Sequence, residues 1–286
     1  MLKLMGIAAV MMFINPGSQY HLTLKHGQTE AVIERADITD DFPGFDLIDL
    51  DKLSLLIEEF DSKFYIPAKN AIVNEHGGIE PEKVGWQIDR QKLIELMYTF
   101  FYSNHSLTNS VPVLPIYPKV DSELLSEINA RQIGRYATFF NSINQARTHN
   151  MTLAVKAIDN VVVFPGESFS FNKVVGKRTA SKGYMRAPVI VKGELAEDIG
   201  GGICQVSSTL FNAVDHTGVQ IVERFSHSRK VPYVPPGRDA TVSWYGPDFV
   251  FKNNLNQPIL IKAKISNGNV LVRIYSSESV ISENNP

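Results

Sequence analysis

Cys204 is the single cysteine of the 286-residue chain, and it follows at once on a run of three glycines in Gly200-Gly201-Gly202-Ile203-Cys204. Glycine has no Cβ, so such a run lets the backbone turn sharply. From Val206 onward, Val206, Leu210, Ala213 and Val214 recur at helical spacing, which places the thiol in the first turn of a helix. There the unpaired N–H groups and the positive end of the helix dipole favour thiolate over thiol. A thiolate is the nucleophile of covalent acyl transfer. The same residues also describe a small buried cysteine after a tight turn, so partner groups must decide.

An acyl-transfer thiol needs a base, and histidine is the side chain matched to neutral pH. Residues 219–227 have strand composition, and in a regular strand Ile221, Glu223, Phe225 and His227 share one face. His227, 23 residues beyond Cys204, is therefore the expected base, since one helix and a returning strand can bring it alongside. Glu223 and Asp239 are both candidates to orient its imidazole, and spacing does not rank them. Backbone N–H groups of Gly201, Gly202 and Cys204 are the expected oxyanion donors. His216 falls near the end of the cysteine helix, roughly two turns or more away, and His149 stands among polar residues on an earlier helix; both are weaker partners. No C-x-x-C or H-E-x-x-H spacing points to a metal, and the glycines lack the phosphate-loop and dinucleotide signatures. Neither a metal nor another cofactor is expected.

The chain that must position these groups has 28 basic and 30 acidic side chains, a balance that leaves no electrostatic footprint for nucleic acid. Its length suits two domains of an α+β protein. Residues 1–20 combine one lysine with a short apolar run ended by Asn15-Pro16-Gly17, which fits a signal peptide or an N-terminal anchor and hence an exported, extracytoplasmic protein of the cell envelope. Any membrane contact would then be through that anchor. Residues 21–118 read as a small α+β domain: a hairpin around Gly27, a helix capped by Asp51, a second helix capped by Asp89, and an extended Val111-Pro112-Val113-Leu114-Pro115-Ile116. Residues 121–278 read as mostly β, with helices at 122–128 and 145–158 and at the cysteine. Strands are expected at 168–172, 187–191, 219–227 and 238–244, and a hairpin of 258–265 with 270–275 turns at Asn267-Gly268. Residues 279–286 are expected to be a flexible tail.

Several blocks, in order, carry a resemblance: Arg147-Thr148-His149-Asn150, Pro165-Gly166-Glu167-Ser168-Phe169-Ser170-Phe171-Asn172, Gly176-Lys177-Arg178-Thr179, Gly200 to Leu210, Glu223-Arg224, His227-Ser228 and Gly237-Arg238-Asp239-Ala240-Thr241-Val242. Together they resemble the VanW domain over roughly 121–275, while 46–118 is more loosely similar to a peptidoglycan-binding domain that often precedes it. Some proteins with this domain are regarded as L,D-transpeptidases with the domain's cysteine as nucleophile. The resemblance therefore implies a cysteine acyl-transferase acting on peptidoglycan stem peptides, with Cys204 as nucleophile and His227 as its histidine. It equally accommodates a wall-binding or scaffolding protein without chemistry. Because stem peptides carry carboxylates, Arg178, Arg224 and Arg238 are their expected partners, and Ser207 is a further substrate-binding candidate.

Overall fold

The computed structural model describes residues 20–40, 46–191 and 194–281. The expected leader at 1–20 lies almost wholly outside them. Among the described residues no helix is long and apolar enough to cross a membrane. The chain is α+β and folds as two compact units.

The first unit comprises 20–70 and 82–119. His21–His26 and Thr29–Glu34 form the expected hairpin across Gly27 (φ +57°), and Leu107–Ser110 adds to it in parallel. The helices Leu50–Phe64 and Arg90–Phe101 present Phe60, Phe64, Leu93, Met97 and Phe100 to Leu22, Leu24 and Ile33 in one core. Asp89 caps the second helix as expected; Asp49, not Asp51, caps the first by accepting from the N–H groups of Asp51 and Lys52. Asp51 sits inside that first turn, where the dipole still favours its charge. The proline-rich stretch pairs its Val113–Ile116 against Gly85–Ile88, with Pro115 opposite Trp86.

The second unit comprises 120–281 together with Ala71–Pro81. Chain order had put that short segment in the N-terminal half; packing moves it. Ala71 and Val73 are buried with Val120, Leu125, Ile128 and Leu260, and the Val73 backbone exchanges two hydrogen bonds with the Asn160 side chain. The framework of the unit is an antiparallel sheet in the order Arg131–Phe139, Asn269–Ser276, Ile259–Ser266, Val161–Val163. Its central hairpin turns at Asn267 and Gly268, both at positive φ, as such turns require. The helix Ile203–Asp215 packs on Arg131–Phe139 and Asn269–Ser276, and the helix Gln145–Ile158 on Ile259–Ser266. A second sheet, Ser168–Ser170, Val250–Lys252 and Gln220–Glu223, closes the core through Phe169, Phe249 and Phe251.

Three local expectations give way here. The strand at 168–172 stops at Ser170, whose hydroxyl caps the short helix Phe171–Val175. The strand at 219–227 is regular only over Gln220–Glu223 and carries a register shift between Ile221 and Glu223. Residues 238–244 form no strand; only Thr241 bridges, to Phe225. The tail begins later than expected, since Val280 is buried and the Ile281 N–H donates to Asn256; 282–286 lie outside the described residues.

Candidate active site

The hairpin of Arg186–Val191 and Glu194–Ile199 delivers the chain to the three glycines. Gly200 and Gly202 take φ of +92° and +105°, the left-handed region that a Cβ disfavours. A Cβ on Gly201 would lie 2.7 Å from the Ala187 backbone, and one on Gly202 would lie 2.7 Å from Met151 Cγ. The glycines are thus needed for both conformation and space. Asn150, wholly buried on the neighbouring helix, pins the turn by donating to the carbonyls of Met185 and Gly201 and accepting from the Met185 N–H. The helix Ile203–Asp215 then starts where the apolar spacing predicted and has no side-chain cap, so Cys204 sits in its first turn with uncapped N–H groups.

Cys204 remains partly exposed on the wall of a cleft of about 870 Å³, a volume that suits a short peptide. His227 lines the same cleft and interacts with the thiol there, each group shifting the other's protonation. Its Nδ1 lies 2.6 Å from Asp239 Oδ2, which also accepts the His227 backbone N–H at 2.6 Å. Nε2 is thereby left for Cys204. Thr241 Oγ1 and the Val242 carbonyl oxygen lie 3.7 and 3.5 Å from the sulfur.

The electrostatics match this geometry. Burial pushes the Cys204 thiol up, but the hydrogen bond from His227, the Val242 backbone and the His227 charge together bring it below its ordinary value. Burial likewise pushes His227 down, and its bonds and charge interactions with Cys204 and then Asp239 raise it above the ordinary value. Opposed shifts of this kind favour a thiolate beside an imidazolium. Asp239, buried, is held below the usual carboxylate range: burial opposes this, and its two bonds from His227 outweigh it. Burial, followed by the charge of Cys204, pushes the Tyr233 phenol far up, so a neutral hydroxyl group lines the cleft.

Of the residues singled out by sequence, the structure brings together Cys204, His227, Asp239, Gly202 and Arg178. Glu223 does not join them. Its Oε1 accepts the Asp248 N–H, and because the strand ends at Glu223 no regular alternation runs on to give it a common face with His227. Gly201 packs against Ala187 and Pro188 rather than lining the cleft, so of the three expected oxyanion donors Gly202 and Cys204 reach it. Ser207 is fully buried and donates to the carbonyls of Ala240 and Cys204, so it has no face toward a substrate. Arg224 donates to the carbonyls of Gly237 and Asp239, and Arg238 binds Asn212 and Asp215; both guanidinium groups lie over the Phe211 ring, at 4.6 and 4.8 Å. These two arginines brace the loop that carries Asp239. Arg178 alone of the three lines the cleft, with Nη1 donating to Asn172 at 2.7 Å. His149 bonds the Gly183 carbonyl and His216 caps the far end of the cysteine helix, as their positions suggested.

Sequence reasoning passed over Arg147, Asn150 and Gln205. Arg147 lines the cleft, and its Nη2 donates to Gln205 Oε1 at 2.8 Å; Gln205, 1% exposed, donates in turn to Thr138 and the Phe139 carbonyl. A signal was present: polar Asn150 and Gln205 occupy positions on the buried faces of their helices, and buried amides need fixed partners. Among the described residues no group of three or more His, Cys, Asp or Glu could hold a metal ion.

Residues 146–275 match the family model for VanW-like proteins, and that span contains Cys204, His227 and Asp239. Over 256 residues the chain is 55% identical to the uncharacterized protein YoaR of Bacillus subtilis, covering 90% of this chain and 84% of that protein. The chain belongs to the VanW family. It is also 28% identical over 147 residues to the vancomycin B-type resistance protein VanW of Enterococcus faecalis, covering 49% of this chain and 54% of that one. No solved structure matches. The thiol, imidazole and carboxylate thus all fall in the VanW-like part of the chain.

Proposed function

We propose that this VanW-family protein is a cysteine acyl-transferase of the cell envelope that acts on peptidoglycan stem peptides in the manner of an L,D-transpeptidase. The observation that carries the reading is the Cys204–His227–Asp239 line at the wall of a peptide-sized cleft, with opposed thiol and imidazole shifts. The Cys204 thiolate attacks the carbonyl carbon of the third stem residue. The Cys204 and Gly202 N–H groups, at an uncapped helix start, meet the oxyanion. As the C–N bond breaks, the departing D-alanine amine takes a proton from His227 Nε2, leaving a thioester on Cys204. The side-chain amine of another stem then attacks the thioester and gives its proton to His227. The C–S bond breaks, the thiolate returns, and a 3→3 cross-link remains. Asp239 keeps the imidazole oriented and favours its cationic form throughout. This reading makes the protein an exported one, with peptidoglycan as partner.

The test is product analysis with purified tetrapeptide muropeptides. Wild-type protein should form 3→3 dimers and a thioester-sized or carbapenem-sized mass adduct on Cys204, and Cys204→Ala should form neither while retaining its fold. Binding to sacculi without turnover in the wild type would instead assign a wall-binding role.

A further inference from the structure

The glycine turn is flanked by two arginine stems. A Cβ on Gly200 would lie 3.2 Å from Arg178 Cβ, and one on Gly202 would lie 3.0 Å from Arg147 Cγ. Both arginines line the cleft and both feel the charge of Cys204. Their heads differ. Arg178 gives Nη1 to Asn172, and its Nε and Nη2 are sealed from solvent without an acceptor, over the Phe171 ring at 5.8 Å. Arg147 is fixed at both ends by the residues that bracket the nucleophile: its stem packs where Gly202 lacks a side chain, and its Nη2 is held by Gln205. The Gln205 amide cannot rotate away, because its Nε2 is committed to Thr138 and Phe139. The Nε and Nη1 of Arg147 have no acceptor among the described residues, and they are not among the sealed atoms. No carboxylate pairs with this guanidinium group among the described residues.

We propose that Arg147, set at a fixed distance from Cys204 by Gln205 and Gly202, is the specificity residue of the cleft and binds the free carboxylate of a peptide whose scissile bond lies one residue away. A cation left without a carboxylate partner beside a nucleophile is completed by an anionic ligand, and guanidinium suits a carboxylate because its donors are fixed in a plane. The peptide part of this inference rests on the acyl-transfer reading. It narrows the donor to stems that end in a free acid directly after the attacked residue, so that a stem with one further residue, or a C-terminal amide, is excluded.

Alkylation tests the charge without requiring that reading. Cys204 is the single thiol, so its rates with iodoacetate and iodoacetamide report one site. The ratio of the two rates cancels any change in thiolate fraction. Relative to a free thiol, wild-type protein should favour iodoacetate. Arg147→Gln should lower the ratio about tenfold, the scale of one charge-assisted hydrogen bond, and Arg147→Lys, which keeps the stem and the charge, should fall between. An unchanged ratio in folded Arg147→Gln overturns the proposal, as does a ratio that collapses in Arg178→Gln instead. In the second arm, Cys204→Ser protein, which cannot turn over, is titrated with tetrapeptide as free acid and as C-terminal amide. The acid should bind about tenfold tighter, and only when Arg147 is present; equal binding overturns the ligand class. Arg147-dependent selectivity without any 3→3 product would leave the subsite standing and sink the acyl-transfer function. Product formed equally from acid and amide would do the reverse.

Discussion

The Oδ2 atom of Asp239 receives two hydrogen bonds from one residue, the backbone N–H and the Nδ1 of His227, each at 2.6 Å. The carboxylate therefore sets both the position of the histidine main chain and the rotation of its ring. Either bond alone would leave one of these free.

Replacing Asp239 with Asn should consequently do more than lower basicity. An amide in its place can no longer offer a charged acceptor to both donors, and turnover should fall by roughly two orders of magnitude or more. Glu223→Gln should keep turnover, since Glu223 Oε1 serves the Asp248 backbone instead. Initial rates of the two variants, with thermal melts to control for folding, separate the two carboxylates.

The opposed shifts of Cys204 and His227 predict a pH profile. Because the thiol lies below its ordinary value, alkylation of wild-type protein should already be fast at neutral pH. Because His227 is raised, its protonated form should persist above the ordinary histidine range and be lost only as pH rises further. His227→Ala should move the acidic limb of the rate profile upward, toward that of an unassisted thiol. Asp239→Asn should move the alkaline limb downward, since removing the negative charge disfavours imidazolium. Iodoacetamide rates across the pH range provide the check.

Gly202→Ala would place a methyl 2.7 Å from Met151 Cγ at a residue with φ +105°. Left-handed strain for a side-chain-bearing residue is of order 1–3 kcal/mol, before any displacement of Met151. Chemical denaturation should show at least that loss. Alkylation of Cys204 should also slow, because the turn that presents it can no longer close.

Asn150 makes three hydrogen bonds to the glycine turn and its neighbour Met185 from a wholly buried position. Asn150→Ala takes the side-chain partner from the Gly201 carbonyl and the Met185 N–H, while the Met185 carbonyl keeps the Gly200 N–H, at a cost of roughly 2–5 kcal/mol. The midpoint of urea unfolding measures this, and any folded fraction should show a less reactive Cys204.

Arg238→Ala is expected to act on stability rather than on substrate. Its guanidinium group binds Asn212 and Asp215 and lies 4.8 Å from the centre of the Phe211 ring, away from the cleft. Loss of these contacts should lower stability by about 1–3 kcal/mol while KM stays unchanged. Steady-state kinetics on the variant below its melting range tests the split.

Local patterns were sufficient for much of the framework. The helices at Ser122–Ile128 and Gln145–Ile158, the closing hairpin through Asn267-Gly268 and the cysteine in a first turn all follow from caps, periodicity and glycine. Failures fell where a neighbour outweighed the local pattern. The alternation at 168–172 yields to a Ser170 cap, and Ala71–Pro81 leaves its sequence neighbours because its apolar residues are buried by Val120, Leu125 and Leu260.

Residue order alone establishes one thiol, a glycine turn that presents it at a helix start, and His227 as the residue to seek beside it. Those properties depend on side-chain chemistry and short-range backbone geometry, which residue order carries directly. Long-range packing chose between Asp239 and Glu223, since the strand ends at Glu223, whose carboxylate accepts the Asp248 backbone N–H, while a loop returns Asp239 to the imidazole. It also decided among the arginines. Arg224 and Arg238 are held by carbonyls, Asn212, Asp215 and an aromatic ring, whereas Arg147, an ordinary helix residue by its pattern, meets the cleft because Gln205 and Gly202 from another helix fix both its ends. Which polar groups are spent on their own fold and which are left for a ligand is a property of long-range contacts, and residue order does not state them.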